Sequence, residues 1–330
     1  MTGNLLYNST TVWSFLLKVF LLGILASLFF ASSFVLNRAM ELAGGSWVWS
    51  ASLRYFFMVL PLLLIVMARG NLGGLIREMR AHLWTWLLWS TVGFGLFYAP
   101  ICFAAAFGPG WLVASTWQLT LVAGSLLVPF IAQTRDDRPS QRSIPLQSIL
   151  ISLVILVGVV IMQLQQAEQT SLRQVLLGVL PVVIAAFAYP LGNRKMMAVC
   201  AGRLDTFQRV LGMTIASLPF WLILGLGGLG TVGLPSTMQV VQTMIVALFS
   251  GVIATLLFFG ATDLTGGDVR QLAAVEATQA GEVVFALVGE IVLLGGHVPS
   301  PIAFAGMAIV IGGMIVHSLT AHKPTINVAQ

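Results

Sequence analysis

The 330-residue chain is 58% hydrophobic and only 8% charged, whereas a soluble globular chain is about a quarter charged. Its formal charge of +5 comes without a long basic run, which argues against a nucleic-acid partner and for basic loops on one side of a bilayer. The composition excludes an ordinary soluble domain and points to an all-α integral membrane protein whose first partner is lipid.

A membrane-crossing helix needs about 20 mostly apolar residues. Ten segments qualify: 18–38, 47–68, 83–105, 111–132, 145–163, 172–192, 205–226, 239–261, 270–292 and 300–319. The start, MTGNLLYNSTTVW, has no basic stretch ahead of the first apolar run, and no small-residue cleavage pattern follows. The first run is therefore expected to stay as a helix. It closes on FFASSFVLNRAM, which carries Asn37 and Arg38. Segment two contains SLRYFFMVLPLLLI. Its Arg54 is expected either to extend toward the interface or to pair with Glu41, Glu282 or an anionic substrate. Segment four carries Trp117, Gln118 and Thr120. An aromatic face near an acid would suit an organic cation, and plain packing is the alternative for Trp117. The link QTRDDRPSQRS (133–143) is a loop by composition. Segment six ends in YPLGNRKM, so Asn37 and Asn193 are both read as ending helices and lining two mouths of a pathway.

Segments five and ten hold small residues, Ser152 and Gly158 in one, Gly306, Ala308, Gly312 and Gly313 in the other. These serve close helix packing or a homodimer contact. Segment nine includes AAVEATQAGEVVFALVGEIVLLG, with Glu276, Glu282 and Glu290. A carboxylate in hydrocarbon costs at least about 2.5 kcal/mol on insertion scales. Glu282 falls near the segment centre. Glu276 falls about 9 Å toward one end, and Glu290 at the other boundary, as a solvated interfacial acid. Removal from water favours the protonated form of a carboxyl. Glu276 and Glu282 thus read either as structural acids, neutral or paired, or as groups that exchange a proton or bind a cationic substrate. Thr278 shares a face with Glu282, and Gln279 shares one with Glu276. Six residues set the two acids about 120° apart, and Glu282 is expected to face the cavity.

Of the sixteen Lys and Arg residues, thirteen fall at the two ends and in connections on the same side; only Arg38, Arg54 and Arg173 fall on the other. The bias predicts that both termini are cytoplasmic. Trp47, Trp49, Trp84, Trp86 and Trp111 lie near segment ends, where interfacial anchoring is the default. Asn37, Arg38 and Met40 match Asn193, Arg194 and Met196 at an offset of 156, as Pro145 matches Pro301. Arg54 and Arg209 then follow at nearly equal spacing. The pattern predicts two five-helix repeats, 1–165 and 166–330. Five is odd, so the repeats would be inverted, a plan that places a transporter's substrate site near mid-membrane.

FFASSFVLNRAM, SLRYFFMVLPLLLI and the closing FALVGEIVLLGGHVPSPIAFAGMAIVIGGMIV resemble the drug/metabolite transporter superfamily. The resemblance is to its ten-span EamA-type branch, and within it to the multidrug resistance efflux transporters. It implies a secondary active transporter of the bacterial inner (plasma) membrane. Such a protein exports small organic molecules, organic cations or metabolites, by alternating access coupled to protons. It also implies a cavity lined by segments one to four and six to nine. Many relatives carry a proline in segment four or nine; here segment nine has none, and Pro129 lies near the cytoplasmic end of segment four. The candidate proton- and substrate-binding residues are Glu282, Glu276, Gln279, Thr278, Trp117, Gln118, Arg54 and Asn37. An uncoupled importer or facilitator of the same fold is the alternative. A membrane enzyme or complex subunit is the remote one, because no nucleophile elbow or other catalytic cluster is present. No cofactor is expected: there is no GxxxxGK[ST], no HExxH, and Cys102 and Cys200 lack ligand spacing.

Overall fold

The computed structural model describes residues 9–127, 146–169, 171–264, 275 and 277–321. The described residues are almost wholly helical and contain no strand. Twelve helices follow in order: α1 (Ser9–Leu42), α2 (Trp47–Ala68), α3 (Leu72–Ala81), α4 (Leu83–Ala104), α5 (Gly110–Trp117), α6 (Leu119–Leu126), α7 (Leu146–Gln169), α8 (Leu172–Cys200), α9 (Thr206–Thr231), α10 (237–264), α11 (Gly281–Leu294) and α12 (Pro301–Ala321). Among the described residues, six stretches are long and apolar enough to cross a membrane: Leu17–Leu42, Trp47–Ala68, Leu83–Ala104, Leu172–Cys200, Thr206–Thr231 and Thr237–Thr262. Leu150–Leu164 and Pro301–Val316 are shorter apolar helices. Large apolar side chains such as Ile223 and Val292 are exposed along the helices, as expected of a surface in contact with lipid. The chain is a multi-pass membrane protein.

Local chemistry explains where several helices begin. Ser171 and Asp205 form capping boxes with Gln174 and Gln208, satisfying backbone donors at the first turn. Ser236 caps α10 through the Gln239 amide. The basic connection after α2 folds as α3, a short amphipathic helix rather than an open loop. At its end Arg203 grips Glu78 with two hydrogen bonds, and the guanidinium holds that carboxyl below the usual carboxylate range.

Segments four and nine are not continuous α-helices. α5 and α6 are separated at Gln118, and a single 3-10 turn, Thr278–Ala280, precedes α11. No proline is needed for either break. Ser115, Thr116 and Gln118 each hydrogen-bond the carbonyl four residues back, and Thr278 bonds that of Val275; such side chains compete with the helical ladder and bend it. Two other helices carry π-helical stretches, Thr91–Gly95 in α4 and Ala247–Ile253 in α10.

The principal packing pairs are α1 with α10 and α11, α2 with α9, α4 with α8, α8 with α5 and α6, α5 with α11, and α7 with α12. Gly158 and Gly306 of α7 and α12 meet inside the chain: a Cβ on Gly158 would meet the Gly306 carbonyl at 2.8 Å, and one on Gly306 would meet that of Gly158 at 2.9 Å, whereas a Cβ on Gly312 would meet nothing within 4 Å. Two large apolar cores result, beside a small cluster of Val19, Ala261 and Val275. One joins residues of α5, α6, α7, α11 and α12, and the other those of α2, α3, α4, α9 and α10. α1, α4 and α8 contribute to both, through Phe34 and Met40, through Ile101 and Trp86, and through Val182 and Met196.

Candidate functional site

Between the two cores lies a cavity of about 300 Å³, the lower end of the range for small-molecule sites. Residues of α1, α2, α4, α5, α6, α8, α9, α10 and α11 line it, and Met314 of α12 touches it. Its walls are rich in aromatic side chains, with Phe30, Phe97, Trp117, Tyr189 and Phe258 among them. Phe97 stacks at a tilt on both Trp117 (4.9 Å between centroids) and Tyr189 (4.8 Å).

The polar groups come from facing helices. Glu282, in the first turn of α11, lines the cavity and is 6% exposed. Gln118, at the break between α5 and α6, lies on the same wall, its Nε2 donating to the Ala114 carbonyl at 3.0 Å. Gln279 also lines the cavity, and its Nε2 is buried without a hydrogen-bond partner. Across from these, Arg54 of α2 is 6% exposed. Its Nη2 donates to Ser250 Oγ at 3.0 Å, and its guanidinium carbon sits 3.9 Å from the centroid of the Tyr98 ring. Ser33 donates to the same Ser250 oxygen at 2.6 Å, tying α1 to α10. Behind the Tyr98 ring, Asn37 and the Tyr98 hydroxyl exchange hydrogen bonds at 3.1 and 3.2 Å.

Of the residues singled out in the sequence, Glu282, Gln279, Gln118, Trp117 and Arg54 line this one cavity. Asn37 stands one residue behind it, through Tyr98. Thr278 is buried with its hydroxyl turned to its own backbone and is not on the wall. Glu276 lies outside the described residues.

Four expectations need correction. Arg54 neither reaches the interface nor pairs with Glu41 or Glu282; it is buried and makes no ion pair among the described residues. Asn37 and Asn193 sit inside α1 and α8, which run on to Leu42 and Cys200. Trp86 and Trp111 are buried rather than interfacial, although Trp84 is exposed. Glu290 is not a solvated boundary acid. It is 6% exposed, and its Oε2 accepts the Trp111 backbone N–H at 3.2 Å, at the start of α5.

Sequence reasoning passed over Tyr55, Tyr98, Tyr189 and Ser250. A signal was available: the chain has only four tyrosines, and three of them line the cavity.

Comparison with known proteins agrees with this architecture. Residues 17–323 match the family model described as EmrE, "Putative multidrug resistance efflux transporter". The chain is 59% identical over 309 residues to "Uncharacterized protein YjlA" of Bacillus subtilis (strain 168), covering 92% of this chain and 95% of that one. It is 51% identical over 267 residues to an "Uncharacterized 42.1 kDa protein in intracellular alkaline protease 3'region" of Shouchella clausii, covering 81% and 70%. A chain solved by crystallography shares the fold at a TM-score of 0.59 with 16% identity, over 91% of this chain and 96% of its own. With the matched model spanning nearly its whole length, the chain belongs to the EmrE family of multidrug resistance efflux transporters.

Proposed function

We propose that the chain is a secondary active transporter that exports small organic molecules across the bacterial plasma membrane, with Glu282 as the group that couples export to proton entry. It would cross the bilayer ten times, as inverted five-helix repeats 1–165 and 166–330, with both termini cytoplasmic. The observation that carries the proposal is the position of Glu282: a buried acid on the wall of an aromatic cavity enclosed by helices of both halves. An ionisable group at such a place is costly and is retained for transport or proton exchange in membrane proteins.

The packing supports the repeat. Exchanging each helix of one half for its counterpart in the other turns the α1–α10 pair into α8–α4. The same exchange turns α1–α11 into the packing of α8 on α5 and α6, and leaves α2–α9, α5–α11 and α7–α12 unchanged. The π-helical stretches begin at Thr91 and Ala247, 156 residues apart. The matched Asn-Arg pairs have the same offset.

The test is transport in proteoliposomes driven by an imposed pH gradient. Glu282→Gln should lose coupling, leaving at most about a tenth of gradient-driven flux, while counterflow exchange persists. Gradient-driven flux equal to that of the parent would refute the coupling role.

A further inference from the structure

The cavity holds a positive charge that no carboxylate among the described residues neutralises. Arg54 is a permanent cation, it is 6% exposed, and its Nε has no hydrogen-bond partner. Its neighbours are dipoles and ring faces: the Ser250 hydroxyl and the Tyr98 and Tyr55 rings, at 3.9 and 5.9 Å from the guanidinium carbon. No carboxylate pairs with it, since the ion pairs among the described residues are Arg69–Asp205, His82–Glu78 and Arg203–Glu78. A buried charge without a counter-ion is unfavourable, and a planar guanidinium is suited to carboxylate recognition. A second unsatisfied donor, Gln279 Nε2, belongs to the same wall. The cavity is thus short of acceptors rather than of donors, while its aromatic walls favour an apolar body.

We infer that Arg54, steadied by Ser250 and Tyr98, anchors the anionic group of the transported molecule, and that this molecule is a small organic acid with an apolar or aromatic body. The inference rests on the transport reading and specifies its cargo. The ligand carboxylate would supply the counter-charge that Arg54 lacks, and its body would lie along Phe97 and Trp117. Glu282 would then be left to carry the proton.

The experiment uses the purified full chain in lipid nanodiscs, with binding read as a ligand-dependent rise in melting temperature. The probes are 3-phenylpropionate, its amide, 3-phenylpropylamine and inorganic phosphate. The carboxylate should bind at least tenfold more tightly than the amide or the amine, and more tightly than phosphate. Arg54→Gln should abolish that preference, Arg54→Lys should keep part of it, and Ser250→Ala should weaken it several-fold. If Arg54→Gln does not fold, the lysine and Ser250 variants decide. Tightest binding of the amine, equal binding of carboxylate and amide, or a carboxylate preference that survives these substitutions overturns the inference. Phosphate binding in preference to the organic acid overturns it too. Flux separates the two proposals. Arg54-dependent carboxylate binding without any flux leaves the anion site standing and removes transport. Flux of the amine with no carboxylate preference does the reverse.

Discussion

Glu290 shows how an acid in an apolar segment can be structural. Its carboxyl receives the Trp111 N–H in the first turn of α5, where a helix start leaves several backbone donors unsatisfied and carries partial positive charge. Gly110 beside it has no room for a side chain: a Cβ there would lie 2.7 Å from the Phe34 carbonyl and 3.3 Å from Glu290 Oε2. The acid therefore pins α11 to α5, at the point where Gly110 packs against α1. Glu290→Ala should cost about 1–2 kcal/mol, the usual value of a helix cap, and Glu290→Gln less, because the amide oxygen still accepts. Thermal melts of both variants check the order; an alanine variant as stable as the parent would mean the contact is idle. Sequence alone could place Glu282, Gln118, Trp117 and Arg54 as polar or aromatic groups in apolar segments, and all four reach the cavity. It could not separate Glu290 from them by role, because the partner that explains Glu290 lies 179 residues away along the chain. Nor could it detect that Arg54 has no carboxylate partner among the described residues, which is a property of the assembled surroundings.

At the scale of the helix, hydrophobic length located the segments but not their internal breaks. A run of apolar residues reads the same whether its backbone bonds are α, 3-10 or π. The interruption at Gln118 becomes visible only once Ser115, Thr116 and Gln118 are seen bonding backward to carbonyls. Close approach between helices was likewise hidden. At the π-helical stretch of α4, the backbones of Gly93 and Gly192 touch, and a Cβ on Gly192 would also lie 2.8 Å from the Trp89 carbonyl. Backbone atoms cannot move aside as a flexible side chain can. Gly192→Ala should therefore cost about 1–3 kcal/mol through overpacking. Gly227→Ala in α9, where a Cβ meets nothing within 4 Å, should be neutral or stabilising by up to about 1 kcal/mol. Melting temperatures of the pair test this, and equal values would show that α4 and α8 can separate freely.

At the scale of the molecule, each end of the bundle is fastened by its own polar contacts. At one end Gln239 of α10 donates to the Ser46 carbonyl at 2.7 Å and to Ser50 Oγ at 3.0 Å, while the Trp49 indole bonds the Gly233 carbonyl at 2.9 Å. At the other end Asp205 receives Arg69 and Asn71, and Gln208 donates to the Asn71 carbonyl. The proposed alternating access would require these fastenings to release in turn, with α1, α4 and α8, which belong to both cores, as the shared struts. Gln239→Ala should loosen the first end. In a background with Cys102 and Cys200 replaced by Ala, a cysteine at the fully buried Thr243 should then react several-fold faster with a membrane-impermeant maleimide. An unchanged rate would rule out Gln239 as a closure contact. The apolar helices and the 156-residue offset of the Asn-Arg pairs were readable from the chain because both are local or periodic. The fastenings were not, since each joins residues more than a hundred positions apart and uses side chains common on any surface.

The paired π-helical stretches bear on ancestry. Such a stretch amounts to one extra residue in a helix, and Thr91 and Ala247 place that extra residue at matching positions in both halves. If the halves are copies, the insertion was already present in the single five-helix unit from which both descend. That ancestral unit would have had to enter the membrane in both directions and pair with itself. The lone basic bias of the present chain would then be a later acquisition, fixed once fusion made one direction sufficient.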